Sequence, residues 1–456
     1  MDGHQTINVA DIIDNGKLAP FQFLLLGLCG ACLIMDGFDV QAMGYVAPAL
    51  IADWGITKTA LGPVFGAGLF GMLIGSLIFG TLADKVGRRP VLIGSTLFFG
   101  LCMIVTAHAT TIPELLTLRF ITGLGLGSII PNAIAIAGEY SPSRIRVRTM
   151  MIISAGFIVG AAIGGFVSAA IIPAFGWQSV FYVGGVIPLA LAVVMYFVLP
   201  ESLQFLLMRG DRDATVSAVL ARIDASYAHP PGTRYAVVAP ARKGALVGQL
   251  FKEGRARATL LIWVVSFMNL LVLFFLSNWL PVLIKDAGFS THYAVLAGTA
   301  LQVGGLCGTL ALSWWIERNG FSKALVASFL LAASAITMIG QVQASLPLLF
   351  ATIFIAGFCV VGSQPAINAM AATFYPTSLR STGIGWSVGI GRLGSIIGPV
   401  IGGELLRLEW SMGALFVAAA APAAIAAVTT MSLRPPSSPA APDLLGAQQG
   451  VPNGIP

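Results

Sequence analysis

Between two apolar runs the chain reads Gly80-Thr81-Leu82-Ala83-Asp84-Lys85-Val86-Gly87-Arg88-Arg89-Pro90. Gly87 permits a tight reversal of the backbone, and Asp84 can accept hydrogen bonds where the turn begins. Arg88 and Arg89 are basic side chains of the kind that gather in short loops on the cytoplasmic surface of a membrane. The stretch therefore predicts a tight connection between two helices that cross a membrane.

The composition of the whole chain agrees with this prediction. Of the 456 residues, 57% are hydrophobic and 10% are charged, whereas a water-soluble domain has about 25% charged residues. A soluble enzyme is therefore excluded, and an all-α integral membrane protein is expected. Since a spanning helix needs about 20 apolar residues, the chain has room for about a dozen spans.

Twelve apolar runs are long enough to cross a membrane, and we number them as spans one to twelve. Spans one to six are predicted at 20–46, 60–83, 90–109, 113–138, 148–172 and 178–199. Spans seven to twelve are predicted at 258–284, 291–316, 323–343, 346–371, 381–406 and 411–432. They form two six-helix bundles, at 20–200 and 257–433, which are joined by a polar linker at 201–256.

The two ends of the chain are not membrane segments. Residues 1–19 are polar and acidic, with no basic start before the first apolar run, so no cleaved signal peptide is expected. Residues 434–456 are rich in Pro, Ala and Gly, which predicts a disordered tail.

Basic residues are distributed unevenly across the predicted membrane. With the N-terminus in the cytoplasm, 20 of the 25 Lys and Arg residues fall on the cytoplasmic side, while Lys58, Lys285 and Arg407 fall on the other. Arg119 and Arg392 lie within the membrane. By the positive-inside rule, both termini and the linker are cytoplasmic, as in a multi-pass protein of the inner (cytoplasmic) membrane. Membrane orientation thus explains the net charge of +6 without a nucleic-acid partner.

The two bundles repeat each other in sequence. A shift of 234 residues places Gly123 on Gly357, Pro131 on Pro365, Pro142 on Pro376, Arg146 on Arg380 and Gly160 on Gly394. The match pairs spans four and five with spans ten and eleven. Such duplication is typical of transporters that rock two halves about a site near the middle of the membrane.

The spacing G-x-x-x-D-x-x-G-R-R at 80–89 resembles the signature loop of the major facilitator superfamily. A weaker copy at 317–323 follows span eight, and L-x-x-R-x-x-x-G at 116–123 in span four is similar to another motif of that superfamily. The resemblance covers essentially the whole chain. It implies a fold of twelve helices in two pseudo-symmetric halves.

In that superfamily the signature loop is a conformational latch on the cytoplasmic side. The resemblance implies this role for Gly80, Asp84, Gly87, Arg88 and Arg89. The expected partners are charged residues at the inner ends of the spans, and which of them pair is left open: Glu139, Arg144, Arg146, Arg148 and Arg380.

Span one carries two acidic residues, in the sequence Asp36-Gly37-Phe38-Asp39. A charged, unpaired carboxylate is costly at membrane depth, so such a residue is a functional candidate by default. Residues three apart share a helix face, and burial together with mutual repulsion favours a proton on one of the two near neutral pH. We therefore expect Asp36 or Asp39 to carry a coupling proton. The alternative is that both merely cap a helix break at Gly37.

The same Asp-Gly-aromatic-Asp resembles the span-one signature of the aromatic acid:proton symporters, which usually have Tyr in place of Phe38. Three further stretches agree with that family: 278–281 in span seven, 375–383 after span ten and 389–392 in span eleven. The resemblance implies proton-coupled uptake of small aromatic carboxylates. Pro200-Glu201-Ser202 is shared with sugar porters, but Leu203-Gln204 replaces their Pro-Arg, so sugar is the lesser interpretation.

Depth along the helices brings the ionisable residues to similar levels. At about 1.5 Å per residue, Asp36 lies about 24 Å into span one from the cytoplasmic side, and Arg392 about 18 Å into span eleven. Arg119 lies about 9 Å from the outer end of span four. These three side chains and Asp39 are therefore expected to face one cavity. Arg119 is expected either to bind substrate or to hold the aspartates in place.

Arg392 is the residue predicted to bind the substrate. A guanidinium is always charged, and its planar fork matches a carboxylate with two hydrogen bonds. The alternative is a permanent ion pair with Asp36, Asp39 or Glu404 that only holds helices together.

Flat apolar walls for an aromatic ring are expected from Phe38, Trp279 and Trp386. Tyr45, Phe274 and Phe275 are further candidates. The five cysteines lie in apolar segments and are expected to be structural, including the CxxC pair Cys29 and Cys32. No cofactor and no metal site is expected.

These features predict a monomeric transporter in the lipid bilayer that imports small aromatic carboxylates with protons by alternating access. The alternatives are a proton antiporter that exports drugs or metabolites and a symporter for sugars or other organic acids. The exporter signature G-x-x-x-G-P-x-x-G-G is only approximated at 156–165, where Ala161 replaces Pro, which favours import. A membrane sensor is disfavoured because no soluble domain appears, and an intramembrane enzyme because the four His are dispersed.

Overall fold

The computed structural model describes residues 6–16, 18–209, 213–223, 234–236, 247–341, 345–376 and 379–433. Within this part of the chain, 12 helices are long and apolar enough to cross a membrane, which confirms the predicted number of spans. The tail predicted to be disordered, 434–456, lies outside the described residues.

The elements follow each other along the chain in two similar series. The first series comprises β1 (Thr6–Asn8), α1 (Val9–Asn15), α2 (Pro20–Trp54), α3 (Leu61–Val86), α4 (Arg88–Thr106), α5 (Ile112–Leu126), α6 (Ile129–Glu139), α7 (Ser143–Phe175) and α8 (Gln178–Val198). The linker contains α9 (Leu203–Met208), α10 (Asp213–Ile223) and β2 (Arg234–Ala236). The second series comprises α11 (Ala256–Asp286), α12 (Thr291–Asn319), α13 (Phe321–Ile339), α14 (Leu346–Phe374), α15 (Arg380–Arg407) and α16 (Met412–Met431). Short 3₁₀ turns lie at Lys58–Ala60 and Val247–Phe251.

Span four is the one membrane segment among the described residues that two α-helices share, α5 and α6. The interruption falls at Gly127, which is pressed against span two. A Cβ atom on Gly127 would lie 2.4 Å from the backbone oxygen of Met72. Glycine at this position therefore allows spans two and four to approach closely.

The internal repeat recurs in the packing of the helices. In the first bundle, a Cβ on Gly71 would lie 2.2 Å from the backbone oxygen of Phe120. In the second bundle, Gly304 meets the backbone oxygen of Phe354 at 2.2 Å in the same way. Phe120 and Phe354 are one of the pairs that the shift of 234 residues aligns. Small residues at these contacts let the backbones of neighbouring helices touch.

The two bundles touch each other away from the linker. We call the side with the chain ends and the linker the linker side, and the opposite side the far side. On the far side, Lys58 forms an ion pair with Asp286, and His292 Nδ1 lies 3.1 Å from the backbone oxygen of Ala169. Among the described residues, every hydrogen bond and ion pair between the bundles lies near the middle of the spans or on the far side.

The N-terminal segment packs on the linker side of the first bundle. The Asp14 carboxylate accepts a hydrogen bond of 2.6 Å from the backbone N of Ser143, and it lies 3.6 Å from Arg146. From the linker, the Arg222 guanidinium lies 4.1 Å from the centre of the Phe21 ring. These contacts tie both polar segments to the first bundle.

Candidate functional site

A central cavity of about 410 Å³ lies between the two bundles. Eight spans contribute to its wall, namely one, two, four, five, seven, eight, ten and eleven. Most of the wall is apolar, and its largest polar side chains are Gln41, Gln302, Gln364, Asn368 and Arg392. A volume of this size, apolar with few polar groups, is typical of a small-molecule site.

Arg392 lies in the wall of this cavity, on α15. Its guanidinium donates to the backbone oxygen of Met72 at 3.3 Å. Among the described residues, no carboxylate oxygen lies within 4.0 Å of it, and Glu404 pairs with Arg407 instead. The structure therefore does not contain the permanent ion pair that was the alternative role of Arg392, and donors of the guanidinium remain for a ligand.

Asp39 and Arg119 form a buried, two-point ion pair. Each Asp39 carboxylate oxygen accepts a hydrogen bond of 2.9 Å from one terminal nitrogen of Arg119. The Asp39 side chain is fully buried, and that of Arg119 is 4% exposed. Arg119 borders a separate small cavity rather than the central one. Of the two roles expected for Arg119, this geometry favours holding an aspartate over binding substrate.

Asp36 is fully buried, and neither of its carboxylate oxygens has a hydrogen-bond partner among the described residues. Asp39 and Arg392 are the charged groups that act on it electrostatically. Helix α2 runs unbroken through Gly37, so the alternative that the aspartates cap a helix break is wrong.

The expectation that all four charged side chains face one cavity is corrected by the structure. Only Arg392 lies in the cavity wall, while Asp36, Asp39 and Arg119 lie behind it. The reason is the helical register of span one. Gly37 and Gln41, four residues apart, share the face toward the cavity, and the aspartates lie on the neighbouring face.

The three aromatic side chains predicted to form the cavity wall lie elsewhere. The Phe38 ring faces glycines of spans five and six. Trp279 is buried and donates from Nε1 to the backbone oxygen of Pro399 at 2.8 Å. Trp386 stacks on Trp263 and is 42% exposed. The aromatic residues in the wall are Phe274, one of the further candidates, and Phe157, which was not predicted.

The signature loop is held by two acidic residues of the first bundle and the linker. The Arg88 guanidinium pairs with Glu139, whose other carboxylate oxygen accepts from the Ser202 hydroxyl at 2.6 Å. Glu201 Oε1 accepts from the backbone nitrogens of Arg88 and Arg89 at 2.9 and 3.0 Å. Gly87 has a φ of 111°, and a Cβ there would collide with Glu201. Sequence reasoning noted Glu201 but did not assign it this role.

The remaining predicted latch residues make few contacts. Asp84 and Arg380 are exposed and have no hydrogen bond or ion pair with another described residue. Gly80 has open space beside it, and Arg146 lies near Asp14. The predicted pairing of Asp84 is absent from this structure because the two bundles do not meet on the linker side. That pairing stays a prediction for a state closed on the linker side.

Two groups of polar side chains near the cavity were not predicted. On the far side of the cavity, Gln41 of span one and Gln302 of span eight are hydrogen-bonded to each other at 3.1 Å. In the second bundle, Asn269 Nδ2 donates to Gln364 Oε1 at 2.8 Å. Neutral amides in apolar helices carry no sequence pattern that signals a partner so far along the chain.

Comparison with known proteins identifies the family. The model of the Major Facilitator Superfamily matches residues 29–318 and 262–453. The 4-hydroxybenzoate transporter PcaK of Pseudomonas aeruginosa is 39% identical over 433 residues, which are 94% of this chain and 96% of that protein. A gallate transporter of Pseudomonas putida is 39% identical over 427 residues, 93% of this chain and 95% of that protein.

Solved structures share the fold. A bacterial homolog of the human lysosomal transporter Spinster, in an inward-facing and occupied conformation, matches with a TM-score of 0.71 at 16% identity, over 91% of this chain and 97% of that one. The match and the named relatives confirm the predicted fold and the prediction of a transporter rather than an enzyme. The chain belongs to the Major Facilitator Superfamily.

Proposed function

We propose that the protein imports small aromatic carboxylates of the hydroxybenzoate or protocatechuate type together with protons, by alternating access. The observation that carries the proposal is the position of Arg392. Its guanidinium lies in the wall of a cavity between the two bundles, without an ion pair to a described carboxylate. The names of the relatives, which refer to 4-hydroxybenzoate and gallate, supply the substrate class.

The carboxylate of the substrate binds Arg392. A charge-assisted pair of hydrogen bonds to a guanidinium is strong and directional. The ring of the substrate lies against the apolar wall, where Phe157 and Phe274 provide aromatic surface. The predicted contacts of Phe38, Trp279 and Trp386 with substrate are not part of this proposal, because these side chains lie outside the cavity.

Asp36 carries the coupling proton. Asp39 is already neutralised by Arg119, whereas Asp36 is buried without a hydrogen bond. A carboxylate in that position is costly as an anion, so proton binding removes a large penalty. Its electrostatic interaction with Arg392 links the two events, because a substrate anion on Arg392 changes the charge that faces Asp36.

The structure represents the state open to the cytoplasm, with the linker side inside. The Lys58–Asp286 pair and the other far-side contacts close the outer face of this state. Closure of the inner face brings the second bundle against the signature loop, where Asp84 and Arg380 form the latch. The protein works as a monomer in the inner membrane, with both termini in the cytoplasm.

Uptake into proteoliposomes tests the proposal. Labelled 4-hydroxybenzoate, protocatechuate, gallate and benzoate are supplied with and without an inward proton gradient. Accumulation of at least one acid that depends on the gradient supports the proposal. Absence of uptake for the whole panel, with outward movement of a drug or uptake of a sugar instead, contradicts it.

A further inference from the structure

Three polar side chains meet at the far-side end of the central cavity, where the bundles touch. Gln41 of span one donates from Nε2 to the backbone oxygen of Ser277 of span seven at 2.6 Å. Gln302 of span eight donates from Nε2 to Gln41 Oε1 at 3.1 Å and to Ser277 Oγ at 3.2 Å. All three residues line the cavity and are nearly buried, with exposed fractions of 4%, 2% and 4% for Gln41, Ser277 and Gln302.

The hydrogen bonds of this group leave one acceptor and one donor unused. A Gln side chain has one carbonyl oxygen and two amide hydrogens. Gln302 uses both amide hydrogens, and its Oε1 accepts no hydrogen bond from a described residue. Gln41 uses one amide hydrogen and its Oε1. A hydroxyl group complements this pair, because it can donate to Gln302 Oε1 and accept from Gln41 Nε2.

The distance from Arg392 suits a benzene ring. The guanidinium lies at the level of Met72, to whose backbone oxygen it donates. Met72 lies about 10 Å along span two from Phe65, toward the linker side. The Phe65 ring packs on Trp279, and Ser277 lies about 3 Å from Trp279 in the same direction. The guanidinium and Ser277 are therefore about 7 Å apart along the membrane axis, comparable with the separation of two para substituents on a benzene ring.

The other amides of the cavity do not fit this distance. A Cβ on Gly391 would lie 2.7 Å from Leu270, so this part of span seven is level with Arg392. Asn269 and its partner Gln364 lie at that same level, and the hydrogen bond between them occupies Gln364 Oε1. A ring substituent opposite the carboxylate points past them when the ring extends toward the far side.

We propose that Gln41 and Gln302 bind the ring hydroxyl of a para-hydroxylated aromatic carboxylate whose carboxylate is held by Arg392. The inference rests on the proposed function and adds to it the residues that select hydroxylated over unsubstituted acids. Since the same glutamines join the two bundles, a bound hydroxyl group also lies at the contact that closes the far side.

Uptake kinetics of two acids test this assignment. The specificity constant kcat/KM is measured for 4-hydroxybenzoate and for benzoate in proteoliposomes of the wild type, Gln41→Leu and Gln302→Leu. In both variants the ratio of the two constants should fall about tenfold, the effect of one or two lost neutral hydrogen bonds. The benzoate constant should remain near that of the wild type. Asn368→Leu, which changes another polar residue of the cavity wall, is the matched control and should leave the ratio unchanged.

The wild type provides a second test that does not depend on a variant folding. 4-Fluorobenzoate has nearly the size of 4-hydroxybenzoate but has no hydroxyl hydrogen to donate. It should inhibit 4-hydroxybenzoate uptake about tenfold more weakly than unlabelled 4-hydroxybenzoate does. Equal inhibition, an unchanged ratio in both glutamine variants, or a ratio that falls in Asn368→Leu instead would overturn the assignment. Failure of the wild type to transport either acid would contradict the proposed function itself.

Discussion

The two bundles pack their helices in the same way but carry different polar groups. A Cβ on Gly160 would lie 1.9 Å from the backbone oxygen of Ile34, and Gly394 meets that of Phe267 at 2.3 Å. In this register Asp36 of the first bundle corresponds to Asn269 of the second. The acid has no hydrogen-bond partner among the described residues, whereas the amide donates to Gln364.

The cation in the cavity wall shows the opposite asymmetry. Arg392 belongs to the second bundle, and the shift of 234 residues aligns it with Ile158 of the first. Both residues line the cavity. The difference teaches that the duplicated packing was kept while the chemistry was divided. The proposed proton carrier lies in one bundle and the proposed anion site in the other, so coupling requires both.

The largest expected effect follows from removal of the unpaired acid. Asp36→Asn should abolish accumulation of substrate, so that the internal concentration only reaches the external one, because the variant has no carboxylate to carry the proton. Exchange of internal for external substrate should continue, since Arg392 is intact. Radiolabelled uptake and counterflow in proteoliposomes measure the two activities.

The matched control is the equivalent position in the second bundle. Asn269→Ala removes a polar side chain at the same level but no ionisable group. It should retain accumulation driven by a proton gradient. Accumulation that survives in Asp36→Asn, or that is lost in both variants alike, would refute the division of roles between the bundles.

The buried pair of the first bundle should have the next largest effect, on stability. Asp39→Asn leaves Arg119 charged and unpaired, which should lower the free energy of unfolding by about 3–5 kcal/mol. The double variant Asp39→Asn/Arg119→Gln should recover more than half of that loss, because neither charge remains buried. Unfolding in mixed detergent micelles measures both values. Equal losses in the single and double variants would show that the pair is not the cause.

The cation of the second bundle should affect substrate binding. Arg392→Lys keeps the charge but loses the planar fork, so KM should rise about 10-fold to 100-fold. The control is Arg407→Lys, which changes an exposed Arg on the same helix. Uptake measured over a range of substrate concentrations checks the prediction. A KM that is unaltered in Arg392→Lys would remove this residue from the substrate site.

The smallest expected effect concerns the contact between the bundles on the far side. Lys58→Met removes an exposed ion pair, which contributes about 1 kcal/mol or less. In a cysteine-free background, labelling of Ser277→Cys by a water-soluble thiol reagent should become about twofold to fivefold faster. Arg407→Met breaks an exposed pair within one bundle and should leave the rate unchanged. Identical rates for the two variants would contradict a role of Lys58 in closing the far side.

The spans were predictable from sequence because each is a long apolar run between charged or turn-forming residues. The elements of the N-terminal segment and linker were not. Strand β1 pairs with β2 through Thr6 and Arg234, which are far apart along the chain, and neither strand exceeds three residues. Such short polar elements depend on tertiary contacts, which leave no periodic pattern.

The candidate site was predictable in depth but not in direction. Counting residues placed Arg119 at the level of the aspartates, and the structure pairs it with Asp39. The helices are apolar on most sides, so no amphipathic pattern indicates which face lies toward the cavity. For this reason Trp279 and Trp386 were expected in the wall, while Phe157 was overlooked. The contact of Gln41 with Gln302 joins residues 261 positions apart and has no local signal.

The most direct test of the account is the proton movement that substrate causes. Proteoliposomes with a pH-sensitive dye inside receive external 4-hydroxybenzoate in the absence of any imposed gradient. The account predicts that substrate entry acidifies the lumen in the wild type, and that Asp36→Asn exchanges substrate without acidification. Acidification by Asp36→Asn at the rate of the wild type would contradict the assignment of the proton to the unpaired acid of the first bundle.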